Sequence, residues 1–269
     1  MAEPTGVTCT VTDGRVAVLT LRGSHSRNAL GFATWEQLEH ELTGAEADDT
    51  VRAVVLTGDA GCFSSGGDLR STSARGRGVR AVSARLELAQ RVLRHINSTA
   101  KPIIAAVEGP AVGIGWSLAQ SCDLVVAAND AYFWAPFLRR GLIPDGGLSW
   151  MLSQLVGRQR ATAILLLAER LSAPDAHALG LVHRITQPGG SLESAIAIAT
   201  ELVQRPPEAT ALARELLRRG ERLSFSDFLD EELLTSALHL RSAEPSEGRA
   251  TFVESRPAQF DDPQAVGDG

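Results

Sequence analysis

The chain has 269 residues, 44% of them hydrophobic and 22% charged, enough apolar material for one large core or a core with an appendage. Its 26 basic residues against 32 acidic ones leave a net charge of −6, which disfavours a nucleic-acid-binding surface while leaving small anionic ligands open. Cys9, Cys62 and Cys122 are too few and too scattered for a disulfide framework or a zinc site.

The first residues lack a basic segment followed by an apolar one, and no run reaches the roughly 18 apolar residues that span a bilayer. The expectation is a soluble, cytoplasmic protein with no membrane partner.

In chain order, β-rich runs over Val7 to Thr12 and Arg15 to Arg22 flank Asp13-Gly14, a dipeptide suited to a two-residue hairpin turn. After a polar loop, Thr34 and Gln37 form a capping-box pattern ahead of Leu38, Leu42 and Ala45 at helical spacing. Val51 to Thr57 reads as a strand, and residues 58–68 form a small-residue loop whose backbone can approach a ligand closely. Arg70, Arg75, Arg77 and Arg80 follow in a Ser/Gly-rich stretch that reads more readily as a solvated loop than as a phosphate site. Val79, Val82, Leu86, Ala89, Leu93 and Ile96 recur every three or four residues and predict an amphipathic helix over Val79 to Asn97.

Lys101 to Asp123 reads as strand, glycine-broken turn and helix, with the apolar run Ile103 to Val107 followed by Gly109, Pro110, Gly113 and Gly115. The first N–H groups of such a helix lack internal partners and sit at the positive end of its dipole. This turn is therefore either an anion site or simply a place where helix and strand pack closely. Asp123 to Ala128 and Ala131 to Trp134 predict further strands, and the repeated strand–helix–strand order implies an α/β fold with parallel crossovers.

Helix dominates from Leu148: Leu148 to Val156, Arg158 to Ala168, Pro174 to Leu179 and Leu192 to Gln204. Beyond the break at Arg205-Pro206-Pro207, three more helices are expected over Glu208 to Arg219, Ser226 to Leu240 and Pro245 to Glu254. The chain thus divides into a core over residues 1–204 and a helical C-terminal subdomain over residues 205–269.

Four segments in order resemble the enoyl-CoA hydratase/isomerase, or crotonase, superfamily: Arg27-Asn28-Ala29-Leu30, Phe63 to Leu69, Lys101 to Gly109 with the Gly113-Ile114-Gly115 that follows, and Glu247-Gly248 to Phe260. The resemblance runs from about Val16 to Phe260. It implies a crotonase-like spiral of ββα units forming two roughly perpendicular sheets, with C-terminal helices that assemble a homotrimer or a hexamer of paired trimers. It also implies an acyl-CoA substrate, with coenzyme A as part of that substrate rather than a bound cofactor.

In this family two backbone N–H groups bind the thioester oxygen, and the matching positions are Gly67 and Ile114. Coenzyme A would lie along Arg27, Ala29, Ser65, Gly67 and Asp68. Arg256 stands where the family often has a C-terminal lysine.

The hydratases of the family resemble one another in two water-positioning glutamates. Aligned by motif, those positions hold Ser117 and Phe137, neither of which can serve as a carboxylate base. The segment Arg140 to Gly147 instead resembles the loop of phenylacetate-pathway enoyl-CoA isomerases, in which the aspartate after the proline is the acid/base; here that is Asp145. One carboxylate suffices to carry a proton between two carbons of an enolate. The bland alternative makes Asp145 an N-cap of the helix at Leu148 with an unraised pKa, whereas apolar neighbours such as Phe137, Leu142 and Trp116 would raise it.

The expectation is double-bond isomerisation. The alternatives are hydration, which would need a second carboxylate such as Asp68, and a non-catalytic acyl-CoA-binding protein. A serine-hydrolase elbow at Ser117 lacks a paired histidine, and Gly113-Ile114-Gly115 lacks the third glycine of a dinucleotide site. The six histidines, His25, His40, His95, His177, His183 and His239, show no metal spacing, so no metal is expected. Trp116, Trp134 and Trp150 read as core more readily than as acyl-pocket walls.

Overall fold

The computed structural model describes residues 6–12, 15–70, 75 and 79–260. The Asp13-Gly14 turn, Arg77 and the side chains of Val79 and Arg80 lie outside them. The hairpin is present as strand β1 (Gly6–Val11) paired antiparallel with β2 (Val16–Arg22). There follow α1 (Phe32–Ala47), β3 (Ala53–Gly58), α2 (Ala84–Ser98), β4 (Ile103–Val107), β5 (Pro110–Val112), α3 (Ile114–Gln120), β6 (Leu124–Ala128) and β7 (Tyr132–Trp134). The second half comprises α4 (Leu148–Leu167), β8 (Arg170–Ser172), α5 (Ala173–Ala178), β9 (Arg184–Thr186), α6 (Ser191–Val203), α7 (Pro207–Gly220), α8 (Phe225–His239) and α9 (Glu244–Glu254).

Six strands form one sheet in the order β1-β2-β3-β4-β6-β9, parallel from β2 onward, and β5-β7-β8 form a second. The strands of the larger sheet are apolar on both faces because both are covered. Val16, Val18, Val55, Ile104 and Val126 pack against Ala195, Ile198 and Val203 of α6. The alternate residues, among them Leu19, Val54, Leu56, Ile103 and Ala105, share the main core with α1, α2 and α3.

The two charged ends of the Lys101 to Gly109 segment fasten this sheet to its helices. Lys101 Nζ donates to the carbonyls of Ala45 and Asp48 at the end of α1 (2.8 and 2.7 Å). The Glu108 carboxylate accepts from the N–H groups of Gly189 and Ser191 (3.0 and 2.9 Å), capping the start of α6.

Several sequence expectations need correction. Helix α1 begins at Phe32 with Gly31 as its N-cap, not at Thr34. Gln37 is drawn away from any capping box because its Oε1 accepts from Val7 N–H at 2.8 Å, pinning the edge strand to the helix. Residues Val79–Ser83 form a 3₁₀ turn rather than the first turn of α2, and Val82 is exposed rather than buried. The two helices expected on either side of Gly157 are present, numbered together as α4 and separated by non-helical backbone at that residue (φ +73°).

The C-terminal helices are tied to the sheet through Arg214 of α7, whose Nε donates to Asp123 at 2.8 Å while Nη1 bonds the Thr99 carbonyl. Asp123 in turn accepts from Ile103 N–H at the start of β4 (2.7 Å). Helix α8 buries no residue; Phe225, Leu233, Leu234 and Leu238 on it are exposed, as are Phe252 and Val253 of α9. No helix among the described residues is long and apolar enough to cross a membrane.

Candidate active site

Two connections leave the C-terminal ends of adjacent parallel strands, the side of such a sheet where ligands usually bind. Residues 59–68 follow β3, and the turn Glu108 to Gly113 follows β4. They are stitched to each other and to residues 26–30 by backbone hydrogen bonds. Ser64 N–H donates to Pro110 O (3.0 Å), Val112 N–H to Ser64 O (2.9 Å) and Ser65 N–H to Arg27 O (2.9 Å). Ser64 Oγ donates to Asn28 O and accepts from Gly66 N–H (2.8 and 3.1 Å). Arg27 and Asn28 hold φ of +51° and +56°, a left-handed conformation uncommon outside glycine, and Asn28 Nδ2 secures it by donating to Asp59 O and Cys62 O.

This stitching leaves the Gly67 N–H unused. Leu30 bridges Gly67 in parallel, so it donates to Gly66 O (2.8 Å) and accepts from Asp68 N–H (3.3 Å), skipping the residue between. Ile114 opens α3, where the first N–H groups have no intrahelical partner. Neither N–H makes a hydrogen bond among the described residues.

The two backbones approach closely because Gly66 has no side chain: at φ +92°, a Cβ there would stand 2.6 Å from Val112 O. A Cβ built on Gly67 would lie 4.0 Å from Ile114 Cγ2, so the two residues adjoin on one wall.

The segment from Phe137 to Asp145 contributes to the same cavity. Its 3₁₀ turn (Leu138–Arg140) ends at Gly141, and the chain returns to α3 at Asp145. Ser117 Oγ, fully buried, donates to Asp145 O at 2.9 Å. At Gly146 a Cβ would stand 2.6 Å from Ser117 Cβ, so the loop lies directly on α3 and no longer side chain fits at Ser117 without displacing it. Phe137 is buried, its ring 3.7 Å from where a Gly113 Cβ would be.

Asp145 is not the helix cap. The N-cap of α4 is Gly147, with no side-chain cap, and the Asp145 contribution is its carbonyl, which accepts from Leu148 N–H at 3.3 Å. Its Oδ1 is buried without a hydrogen-bond partner. Burial lifts the carboxyl to about 6, against a smaller opposing pull from the nearby Arg85 guanidinium.

Gly67, Ile114 and Asp145 line one cavity of about 510 Å³. Leu30, Trp35, Leu86, Val112, Phe137 and Leu142 supply most of its apolar wall, and its charged residues are Arg85, Arg140 and Asp145. Ser65 also lines it, whereas Arg27, Ala29 and Asp68 do not, although the bridge from Leu30 to Gly67 holds them beside it. Asp68 accepts from Arg70 N–H at 2.9 Å, so Asp145 is the sole carboxylate of the lining among the described residues.

Trp116 is a core residue against Phe133 (centroids 5.5 Å apart) and Trp150 is exposed. The tryptophan of the cavity is Trp35, passed over in the sequence although its spacing with Leu38 and Leu42 puts it on the inner face of α1. Arg85 was likewise passed over, and the signal that could have found it is a charge on the same helical face as Val82, Leu86 and Ala89.

Away from the cavity, Arg75 is committed to Glu36 and the Phe32 ring, and Arg256 to Glu247 and Glu254, so neither stands ready for a phosphate. The structure does gather one metal-type group that spacing did not reveal, Glu208, His239 and Glu244. There Glu244 caps α7 by accepting from Glu208 and Ala209 N–H (2.7 and 2.8 Å), and the two imidazole nitrogens face different carboxylates, a structural use of all three.

The sequence pattern described as "Enoyl-CoA hydratase/isomerase" matches residues 12–263. The chain is 33% identical to the 1,2-epoxyphenylacetyl-CoA isomerase of Escherichia coli, covering 91% of this chain and 94% of that one. It is 32% identical to the 2,3-dehydroadipyl-CoA hydratase of the same organism, covering 91% and 95%. A crystal structure of an enoyl-CoA hydratase from a Polaromonas species superposes with a TM-score of 0.89 at 36% identity, over 94% of this chain and 99% of that one.

Proposed function

The chain belongs to the enoyl-CoA hydratase/isomerase family, and from that premise we propose that it shifts the double bond of an enoyl-CoA through an enolate. The thioester oxygen takes the N–H groups of Gly67 and Ile114. The Asp145 carboxylate removes a proton beside the carbonyl, leaving a dienolate, and returns that proton to the far end of the conjugated system. Charge builds on the thioester oxygen during the first step and leaves it in the second, so donors fixed in place lower both barriers. Each such donor contributes about 2.7–4 kcal/mol in comparable sites.

The observation that carries this reading is the lone, buried, unpartnered carboxylate oxygen of Asp145 on the same cavity as two unused N–H groups. A carboxyl held near 6 is ionised at neutral pH yet basic enough to accept a proton there. Hydration, the activity in the name of the E. coli hydratase relative, draws support from that likeness, but its two-carboxylate route finds Ser117 and Phe137 in place. The exposed apolar residues of α8 and α9 support assembly as a homotrimer or a hexamer of two trimers. The substrate brings its own coenzyme A, and the scheme uses no metal.

The test is turnover of a 3-enoyl-CoA to its conjugated 2-enoyl isomer. Asp145→Asn lowers it by about 10²–10⁴-fold while acyl-CoA binding persists. Undiminished turnover in that variant removes Asp145 from the role, and water addition without isomerisation by the unaltered protein favours the hydratase. Tight thioester binding with neither reaction leaves a non-catalytic binding protein.

A further inference from the structure

The acyl-CoA cavity lies at the C-terminal ends of β3 and β4. A second cavity, of about 360 Å³, lies at the other end of β4, between the last residues of α2 and helix α7. Arg218, Arg219 and Arg222 line it, with Glu215 as the one carboxylate of the lining.

These cations are not equally compensated. Arg214, Arg218 and Arg222 follow at four-residue spacing, a stripe of like charge along α7 and the turn beyond it, and like charges so spaced repel. Arg214 is neutralised by Asp123 at 2.8 Å, and Arg219 is committed to Glu215 and to Glu231 of α8. The side chains of Arg218 and Arg222 make no hydrogen bond or ion pair among the described residues. Arg222 is exposed, but Arg218 is half-buried and its Nη1 is buried without an acceptor. Burial, and after it the Arg214 charge, pull the Arg218 pKa down, against smaller opposing pulls from Asp123 and Glu215. The negative end of the α7 dipole favours cations in its last turn, but it leaves that N–H unmatched.

We propose that this cavity binds a phosphoryl dianion between the guanidinium groups of Arg218 and Arg222. Two unneutralised cations match the charge of about −1.5 to −2 that a phosphomonoester carries at neutral pH. Guanidinium forks meet phosphate oxygens in charge-assisted, two-point contacts. The ligand supplies the counter-charge that the chain withholds from both arginines. The space exceeds that of a bare phosphate ion, and Ala211 and Leu212 give it an apolar side, which favours a small phosphate ester. Its place at the far end of β4 sets it apart from Arg27, Ser65 and Gly67, so the site is independent of the acyl-CoA reading.

The test is calorimetry on the whole protein at constant ionic strength, with glycerol 3-phosphate and inorganic phosphate as probes against a chloride background. At least one probe binds saturably with one site per chain, and the tighter of the two identifies the source of the phosphoryl group. Arg218→Met and Arg222→Met each weaken that binding by about tenfold or more. Arg218→Lys keeps part of it, and Arg140→Gln, on the other cavity, keeps all of it.

No saturable binding of either probe overturns the proposal, as does binding that survives both methionine variants or disappears in Arg140→Gln. Thermal melts separate a ligand site from a structural role. Without phosphate, Arg218→Met melts no lower than the parent, because it removes a buried charge that has no partner. A fall in Tm of equal size with and without phosphate marks Arg218 as structural and overturns the assignment. If a carboxylate of a second copy of the chain fills the cavity, neither probe binds the intact assembly and the methionine variants dissociate it in sedimentation, which overturns it too.

Discussion

On one side of the cavity, Gly67 and Ile114 offer backbone N–H groups, fixed by hydrogen bonds among three stretches of main chain and indifferent to which side chains those residues carry. On the other, Phe137 to Asp145 offers side chains, and its polar tie to α3 is the Ser117 hydroxyl on the Asp145 carbonyl. The first side can stabilise a thioester enolate whatever reaction follows. The second decides what happens to the proton. A family whose members share the first can therefore diverge in reaction by changes in side chains around it, and the absence of two glutamates, at Ser117 on α3 and at Phe137, is a change of that kind.

The comparison can be attacked from the backbone side. Gly66→Ala puts a Cβ 2.6 Å from Val112 O at a φ of +92°, which pushes the Gly67 N–H out of place without touching Asp145. Turnover should fall about 10²–10³-fold, the cost of losing one oxyanion donor, with most of the loss in kcat. A change confined to KM would show that the N–H groups act only in binding.

The side-chain wall leaves a signature in stability. Because burial raises the Asp145 pKa to about 6, the unfolded chain gives up this proton at lower pH than the folded one. The charged carboxylate thus destabilises the fold above that range, an effect that sets in between about pH 4 and 6 as pH rises. Asp145→Asn, which mimics the neutral form, should therefore be more stable than the parent at pH 8 by up to about 3 kcal/mol. The difference should vanish by pH 4, as thermal melts at the two values would show. Activity that depends on the carboxylate falls as pH drops through the same value.

Ser117→Ala probes the tie between the two sides. Loss of one buried hydrogen bond that leaves its carbonyl partner in place costs about 1–3 kcal/mol. Turnover should drop by up to about tenfold through misplacement of Asp145. A crystal structure of the variant with the loop unmoved and turnover unchanged would show that α3 does not position the carboxylate.

How much of this could be read from the residues differs between the same two walls. Small residues marked the backbone wall as a place of close main-chain approach, but Gly67 and Ile114 themselves came from the resemblance of the ordered segments, and both line one cavity. Asp145 was legible as the acid/base through the resemblance, but the choice between a cap of ordinary acidity and a raised carboxyl stayed open, since the burial that raises it is supplied by chain folding. Arg85 was overlooked because the periodicity of α2 was read for its apolar positions and not for the charge among them. Trp116 lies in the core, as its reading among the tryptophans had it, and does not line the cavity as a neighbour of Asp145, since two residues on from Ile114 a side chain points to a different face of α3. The three-residue strands β8 and β9 carry no local pattern; their pairing with β7 and β6 defines them.

The central claim is that the two N–H groups and Asp145 together form and reprotonate an enolate. Exchange of the α-protons of an acyl-CoA with heavy water, followed by mass spectrometry, tests it most directly, because it needs neither a double bond in the right place nor release of a new product. The account predicts deuterium incorporation that depends on the protein, falls as pH drops through about 6, and disappears in Asp145→Asn while the thioester still binds. Exchange that persists undiminished in Asp145→Asn, or its absence from the unaltered protein across a panel of bound thioesters, would contradict it.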